Sequence, residues 1–169
     1  MSWRNEPVRH GLASRGISTK FKANAVTEGE SFQFYRNVYD VWEANEIIRE
    51  NPREPYKISV DEWMSIIDKE GENSIAGVSV DWDYARTLTE EDCKREGIAV
   101  LTKDGAQLID GHHRLVACHL HNIDEFPVYV LESEEAWEIC NHYGRQNLKP
   151  PENGWDDKKK RILKKEVVG

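Results

Sequence analysis

Five consecutive residues, Asp110-Gly111-His112-His113-Arg114, concentrate the chain's chemistry. They follow the apolar run Gln107-Leu-Ile109 and precede a helical pattern, so they stand at a strand-to-helix junction. Gly111 permits a tight turn with positive φ and a close backbone approach to a ligand. A helix opening there offers its first N–H groups and a positive dipole end, which favour phosphate. Arg114 adds a planar donor fork suited to phosphate or carboxylate. Asp110 can orient a histidine, hold a divalent cation or accept a proton, and His112 and His113 can donate to phosphate oxygens or shuttle protons near neutral pH. The plainer reading is a capped turn with a polar histidine pair on the surface.

Two other groups are weighed against this turn. Asp81-Trp82-Asp83, followed by Tyr84 and Arg86, reads either as a second pocket wall, with Asp83 and Asp110 bringing Mg²⁺, or as a solvated turn around a packed Trp82. Cys118, His119 and His121 invite a zinc reading, but no CxxC or HxxxH element accompanies them. A packed His119 and a helix-packing Cys118 are the simpler reading.

The elements that must position these residues follow from periodicity and caps. Phe34, Tyr35, Val38, Val41, Trp42, Asn45 and Ile48 recur at spacings of three and four, predicting one amphipathic helix over 31–50 that Asn51-Pro52 ends. Tyr56–Val60 reads as a strand, and Ser59-Val-Asp-Glu62 as a capping box opening a short helix. Residues 71–77 read as a loop. Val78, Val80 and Trp82 alternate, which suggests a strand or an extended segment. Thr89-Glu-Glu-Asp92 opens a helix closed near Gly97. Two strands over 98–102 and 107–109 join through an Asp104-Gly105 turn. A helix to about Asn122, a strand over 126–131 and a helix over 134–143, capped by Ser133 and stopped by Gly144, complete an α+β pattern.

Length and composition set the frame. The 169 residues suit one domain, and 16 aromatic side chains can build a core. No apolar run is long enough for a membrane span and no secretory signal is visible, so no membrane partner and a cytoplasmic location are expected. Three cysteines without a CxxC pair fit a reducing compartment. The net charge of −8 is unevenly spread: residues 1–22 carry +4, residues 156–169 carry +3 and the body between carries −15. An acidic body disfavours a long nucleic-acid track, whereas the basic ends can contact nucleic acid or an acidic protein or remain solvated. The organisation read from the chain is a basic extended arm over 1–30, the amphipathic helix and a linker over 31–55, the main domain over 56–148, and a linker with basic tail over 149–169.

The stretch Gln107-Leu-Ile-Asp-Gly-His-His-Arg-Leu-Val-Ala117 resembles the signature of the ParB/sulfiredoxin-like superfamily, with the likeness extending over about 56–132. That resemblance implies a small mixed sheet with surrounding helices and a nucleotide whose phosphates sit at the G-x-x-R turn. Sulfiredoxins carry G-C-H-R; here His112 replaces the catalytic cysteine, so sulfinate reduction is not expected. Partition ParB proteins carry G-E-R-R, matched only at Gly111 and Arg114. The ParB-like free serine kinases carry D-G-H-T-R, matched at Asp110, Gly111, His112 and Arg114. The related DNA-phosphorothioation regulators carry D-G-Q-H-R, matched at Asp110, Gly111, His113 and Arg114. Such kinases use an acid after the first strand, a place taken here by Asp61 or Glu62.

The function implied is a nucleotide-binding protein that hydrolyses or transfers a phosphoryl group of ATP or another nucleotide, with Mg²⁺. Gly111, His112, His113 and Arg114 would hold phosphates, while Asp110, His112, His113, Asp61 and Glu62 would supply the catalytic groups. The alternatives are a metal-dependent ParB-like nuclease and a non-catalytic regulator or inhibitor of phage or mobile-element origin. Nothing in the sequence sets an oligomeric state.

Overall fold

The computed structural model describes residues 29–34, 36–67 and 78–151. The basic arm before residue 29, the 71–77 loop, the end of the 149–154 linker and the basic tail lie outside the described residues. Residues 31–50 are not one helix. They form a two-stranded antiparallel hairpin, β1 (Ser31–Phe34) and β2 (Asn37–Asp40), followed by helix α1 (Val41–Glu50). Phe32 and Phe34 alternate inward, the period of a strand. The helix cannot begin earlier because Asp40 is its N-cap, extended in backbone and accepting the N–H of Glu43 at 2.8 Å.

Strand β3 (Tyr56–Ser59) leads into α2 (Val60–Trp63), capped by Ser59 and extended by a 3₁₀ turn over Met64–Ile66. The strand or extended segment expected over 78–82 forms no named strand, and Trp82 belongs to a helix. Val78 makes one isolated bridge to Ile67, and helix α3 (Trp82–Thr87) starts at Asp81, whose carboxylate caps the N–H of Tyr84. Helix α4 (Glu90–Cys93) has the expected reciprocal capping box between Thr89 and Asp92.

The hairpin of β4 (Gly97–Thr102) and β5 (Gly105–Asp110) turns at Lys103-Asp104. Helix α5 (His112–Leu120) and strand β6 (Glu125–Leu131) follow. The helix expected over 134–143 is two helices, α6 (Ser133–Ile139) and α7 (His142–Arg145). Ser133 takes φ +55° and caps nothing. Asn141 caps the second helix by accepting the N–H of Gly144, which sits inside α7 rather than ending α6.

The main sheet has order β3-β6-β4-β5, with β6 and β4 parallel and the other pairs antiparallel. The molecule is thus mixed α+β. Both faces of the sheet are covered, and every residue of β5 is buried. One face packs Ile58, Ala99, Leu108, Phe126 and Val128 with side chains from α2 to α5. The other packs Ile98, Val100, Ile109 and Leu131 under the β1–β2 hairpin, α1 and α6. No helix among the described residues is long and apolar enough to cross a membrane.

Candidate functional site

The 110–114 turn lies where β5 ends at the sheet's edge and α5 begins. Its N-cap is Gly111, with φ +104° in the left-handed region, so no side chain caps the helix. A β-carbon on Gly111 would come within 3.1 Å of Gly97 Cα and 3.2 Å of Arg114 Nη2. Gly97 is its counterpart at the start of β4. A β-carbon there would meet the Asp110 carbonyl at 2.8 Å and the Phe126 ring at 2.9 Å. Two glycines therefore let the two strand ends close over the Phe126 ring. Gly97 was legible only as a helix stop; its place opposite Asp110 follows from the pairing of Ile98 with Asp110.

Asp110, His112, His113 and Arg114 are between 1 and 7% exposed. The turn is therefore neither a polar surface turn nor an open phosphate cradle: it is closed over by its neighbours. Arg114 Nη2 donates to Asp110 Oδ2 at 3.2 Å, one helical turn back, and to the Glu96 carbonyl at 3.3 Å. His112 stacks on Phe32 of β1, ring centroids 5.0 Å apart. His113 receives on Nε2 the backbone N–H of Asp81 at 3.1 Å, and the Tyr84 ring meets its edge at 5.2 Å. The residues that cage the turn, Phe32, Asp81, Tyr84 and Glu96, come from β1, α3 and the α4–β4 connection. Only Asp81 and Tyr84 belong to a group the sequence singles out.

Electrostatics follow from this cage. Burial lowers the pKa of His113; the Asp81 carboxylate opposes that and Arg114 adds to it. A neutral His113 that accepts at Nε2 carries its proton on Nδ1. Burial raises the thiols of Cys93 and Cys118, which lie together behind the turn with the Cys118 thiol donating to the Cys93 carbonyl at 3.9 Å. They are packing groups rather than nucleophiles.

The other expected site residues are not gathered here. Asp61 and Glu62 are exposed on α2. Asp83 is 95% exposed in its side chain and pairs with Arg86 at 2.7 Å. Asp83 and Asp110 therefore do not share a metal position. Among the described residues no three His, Cys, Asp or Glu side chains form a metal-binding group. His121 bonds the Leu88 carbonyl at 2.8 Å and His119 packs against Trp82, so neither joins Cys118 around zinc. No protein-family model, curated protein or solved structure matches the chain.

Proposed function

We propose that the Asp110–Arg114 turn binds the phosphates of a nucleotide, as the ParB/sulfiredoxin-like resemblance implies, and that hydrolysis or transfer of the terminal phosphoryl group follows. One observation carries this reading: a guanidinium buried at the N-terminus of α5, where no side chain caps the helix, and paired there with the Asp110 carboxylate. Burying an ion pair costs several kcal/mol in desolvation, by order of magnitude, and well-packed apolar residues would often stabilise as much. Such a group at a helix N-terminus is better accounted for by an anionic ligand than by folding.

In this reading an entering phosphate takes donors of the Arg114 fork and the first amides of α5. The same event draws Arg114 away from Asp110, whose carboxylate then accepts the proton of the attacking hydroxyl or water as that oxygen bonds the terminal phosphorus, the bond from phosphorus to the bridging oxygen breaks and the shortened nucleotide leaves with the electron pair. The residues present do not fit Mg²⁺, because Asp110 faces a guanidinium and Asp83 faces solvent. For the same reason a metal-dependent nuclease is not favoured. A non-catalytic nucleotide-binding regulator is the second reading, favoured by the closed Asp110–Arg114 pair.

The test is thermal shift with ATP, ADP and CTP, each with and without Mg²⁺, on wild type and Arg114→Lys. A ligand at 100 times its Kd adds about 2.7 kcal/mol, which moves Tm by several degrees. The expected result is a shift with wild type that is lost in Arg114→Lys. No shift with any nucleotide defeats the proposal. A shift without phosphate release over hours selects the regulator.

A further inference from the structure

We propose that the face built on α7 binds single-stranded nucleic acid, with Tyr143 as the stacking platform and Arg36, Arg145 and Lys103 as phosphate contacts. The body of this chain is strongly acidic, yet four cationic or titratable side chains lie on or against α7 and the turn after it: Arg36 and His142 at the exposed Tyr143 ring, Arg145 against Trp137 and Lys103 against the Gln146 carbonyl. Tyr143 is 43% exposed, one of two large hydrophobic residues so exposed among the described residues. The Arg36 guanidinium lies 5.2 Å over its ring, and the His142 ring stands edge-on at 5.6 Å. Two residues beyond Tyr143 along α7, the Arg145 guanidinium lies over the Trp137 ring at 5.5 Å and its Nε donates to the Trp137 carbonyl at 2.8 Å.

The arrangement is built rather than incidental. Asn141 accepts the N–H groups of Val38 at 3.1 Å and Gly144 at 2.8 Å, and donates to the Arg36 carbonyl at 2.7 Å. One carboxamide thereby fastens the β1–β2 turn, which carries Arg36, to the turn that presents Tyr143. On the far side the Lys103 N–H donates to the Asn147 carbonyl at 2.9 Å, and its ammonium reaches the Gln146 carbonyl at 3.4 Å. The β1–β2 turn, α7 and the β4–β5 turn are thus pinned together along one face.

The chemistry of the patch selects the partner. An acidic peptide would use the cations but gain little from an exposed ring. A single strand offers both phosphates and unstacked bases, and an aromatic face among cations is the general platform for it. The acidic surroundings limit the footprint to a few nucleotides, since a longer track meets repulsion. None of these residues belongs to the 110–114 turn, so the two sites stand or fall separately.

The test is fluorescence anisotropy of a labelled single strand of about 12 nucleotides against the full chain at about 50 mM salt. A polyglutamate peptide of equal charge serves as competitor. Wild type is expected to bind with a log–log salt slope of roughly −2, the value for about three phosphates on a single strand. Tyr143→Ala is expected to weaken binding about tenfold, and Arg36→Ala several-fold, with Tm unchanged for Tyr143→Ala. Absence of binding overturns the proposal. So does binding that Tyr143→Ala leaves intact, which would assign it to the basic ends. Equal competition by polyglutamate with the same loss in Tyr143→Ala would overturn it in favour of an acidic protein partner.

Discussion

Arg114 holds one of the few buried charges in the described core, and its removal separates cost from function. Arg114→Ala strands the carboxylate of Asp110 in a site only 7% exposed. The expected loss is about 3–5 kcal/mol, read by urea unfolding. Pairing it with Asp110→Asn removes the stranded charge and should recover a good part of that loss. A loss below about 1 kcal/mol in Arg114→Ala would mean that the pair is solvated after all. His113 makes a second prediction, with its sign set by burial. Its folded pKa lies below the unfolded value of about 6.5, so the protein must expel a proton to fold in acid. Its contribution is complete above that value and erodes as pH falls below it. A protonated Nε2 also cannot accept the Asp81 N–H. Tm should therefore fall between about pH 7 and pH 5 in wild type. It should fall less in His113→Gln, whose side-chain oxygen can still accept that N–H. Parallel pH profiles for the two proteins would exclude His113 as the source.

The elements that carry these residues depend on contacts that local sequence shows unevenly. Gly97→Ala is expected to cost about 1–3 kcal/mol, because its methyl would meet backbone oxygen at 2.8 Å and an aromatic ring that cannot withdraw. Thermal unfolding measures this, and an unchanged Tm would show that β4 and β5 separate without penalty. That close approach was invisible in the sequence, since it requires knowing that Ile98 pairs with Asp110. The β4–β5 hairpin and the strand–turn–helix at 105–120 were legible because the turn residues, the alternation and the helical pattern agree. Residues 31–50 carry two conflicting periods. Phe34, Val38 and Val41 satisfy a spacing of three to four, while Phe32 and Phe34 satisfy a spacing of two. The deciding signal was Asp40-Val-Trp-Glu43, a helix start in mid-pattern. Asp81 and Asn141 are similar start signals, each an N-cap set within a run whose apolar spacing points elsewhere. In all three cases a short polar side chain capping the backbone outweighed the apolar rhythm around it.

At the scale of the molecule, the sheet has no face to spare. Ile98, Val100, Ile109 and Leu131 are each at most 3% exposed because Phe32, Val41, Ala44, Ile47 and their neighbours cover them. The division of the chain into a helix over 31–55 and a main domain over 56–148 treats this layer as an addition. The packing makes it half of the core. The same layer sets Phe32 against His112, so the site and the second core share one support. A fragment beginning at residue 52 would turn an apolar sheet face to water, and each large side chain so exposed forfeits about 1.5–3 kcal/mol. Several such losses exceed the roughly 5–15 kcal/mol that holds a domain together. The fragment is therefore expected to lack a cooperative unfolding transition, to bind a hydrophobic dye and to lose near-ultraviolet circular dichroism. The 29–151 segment is expected to keep all three native signatures. Sigmoidal unfolding of the shorter fragment with native near-ultraviolet signal would show that the 56–148 unit folds alone, with the hairpin and α1 only resting upon it.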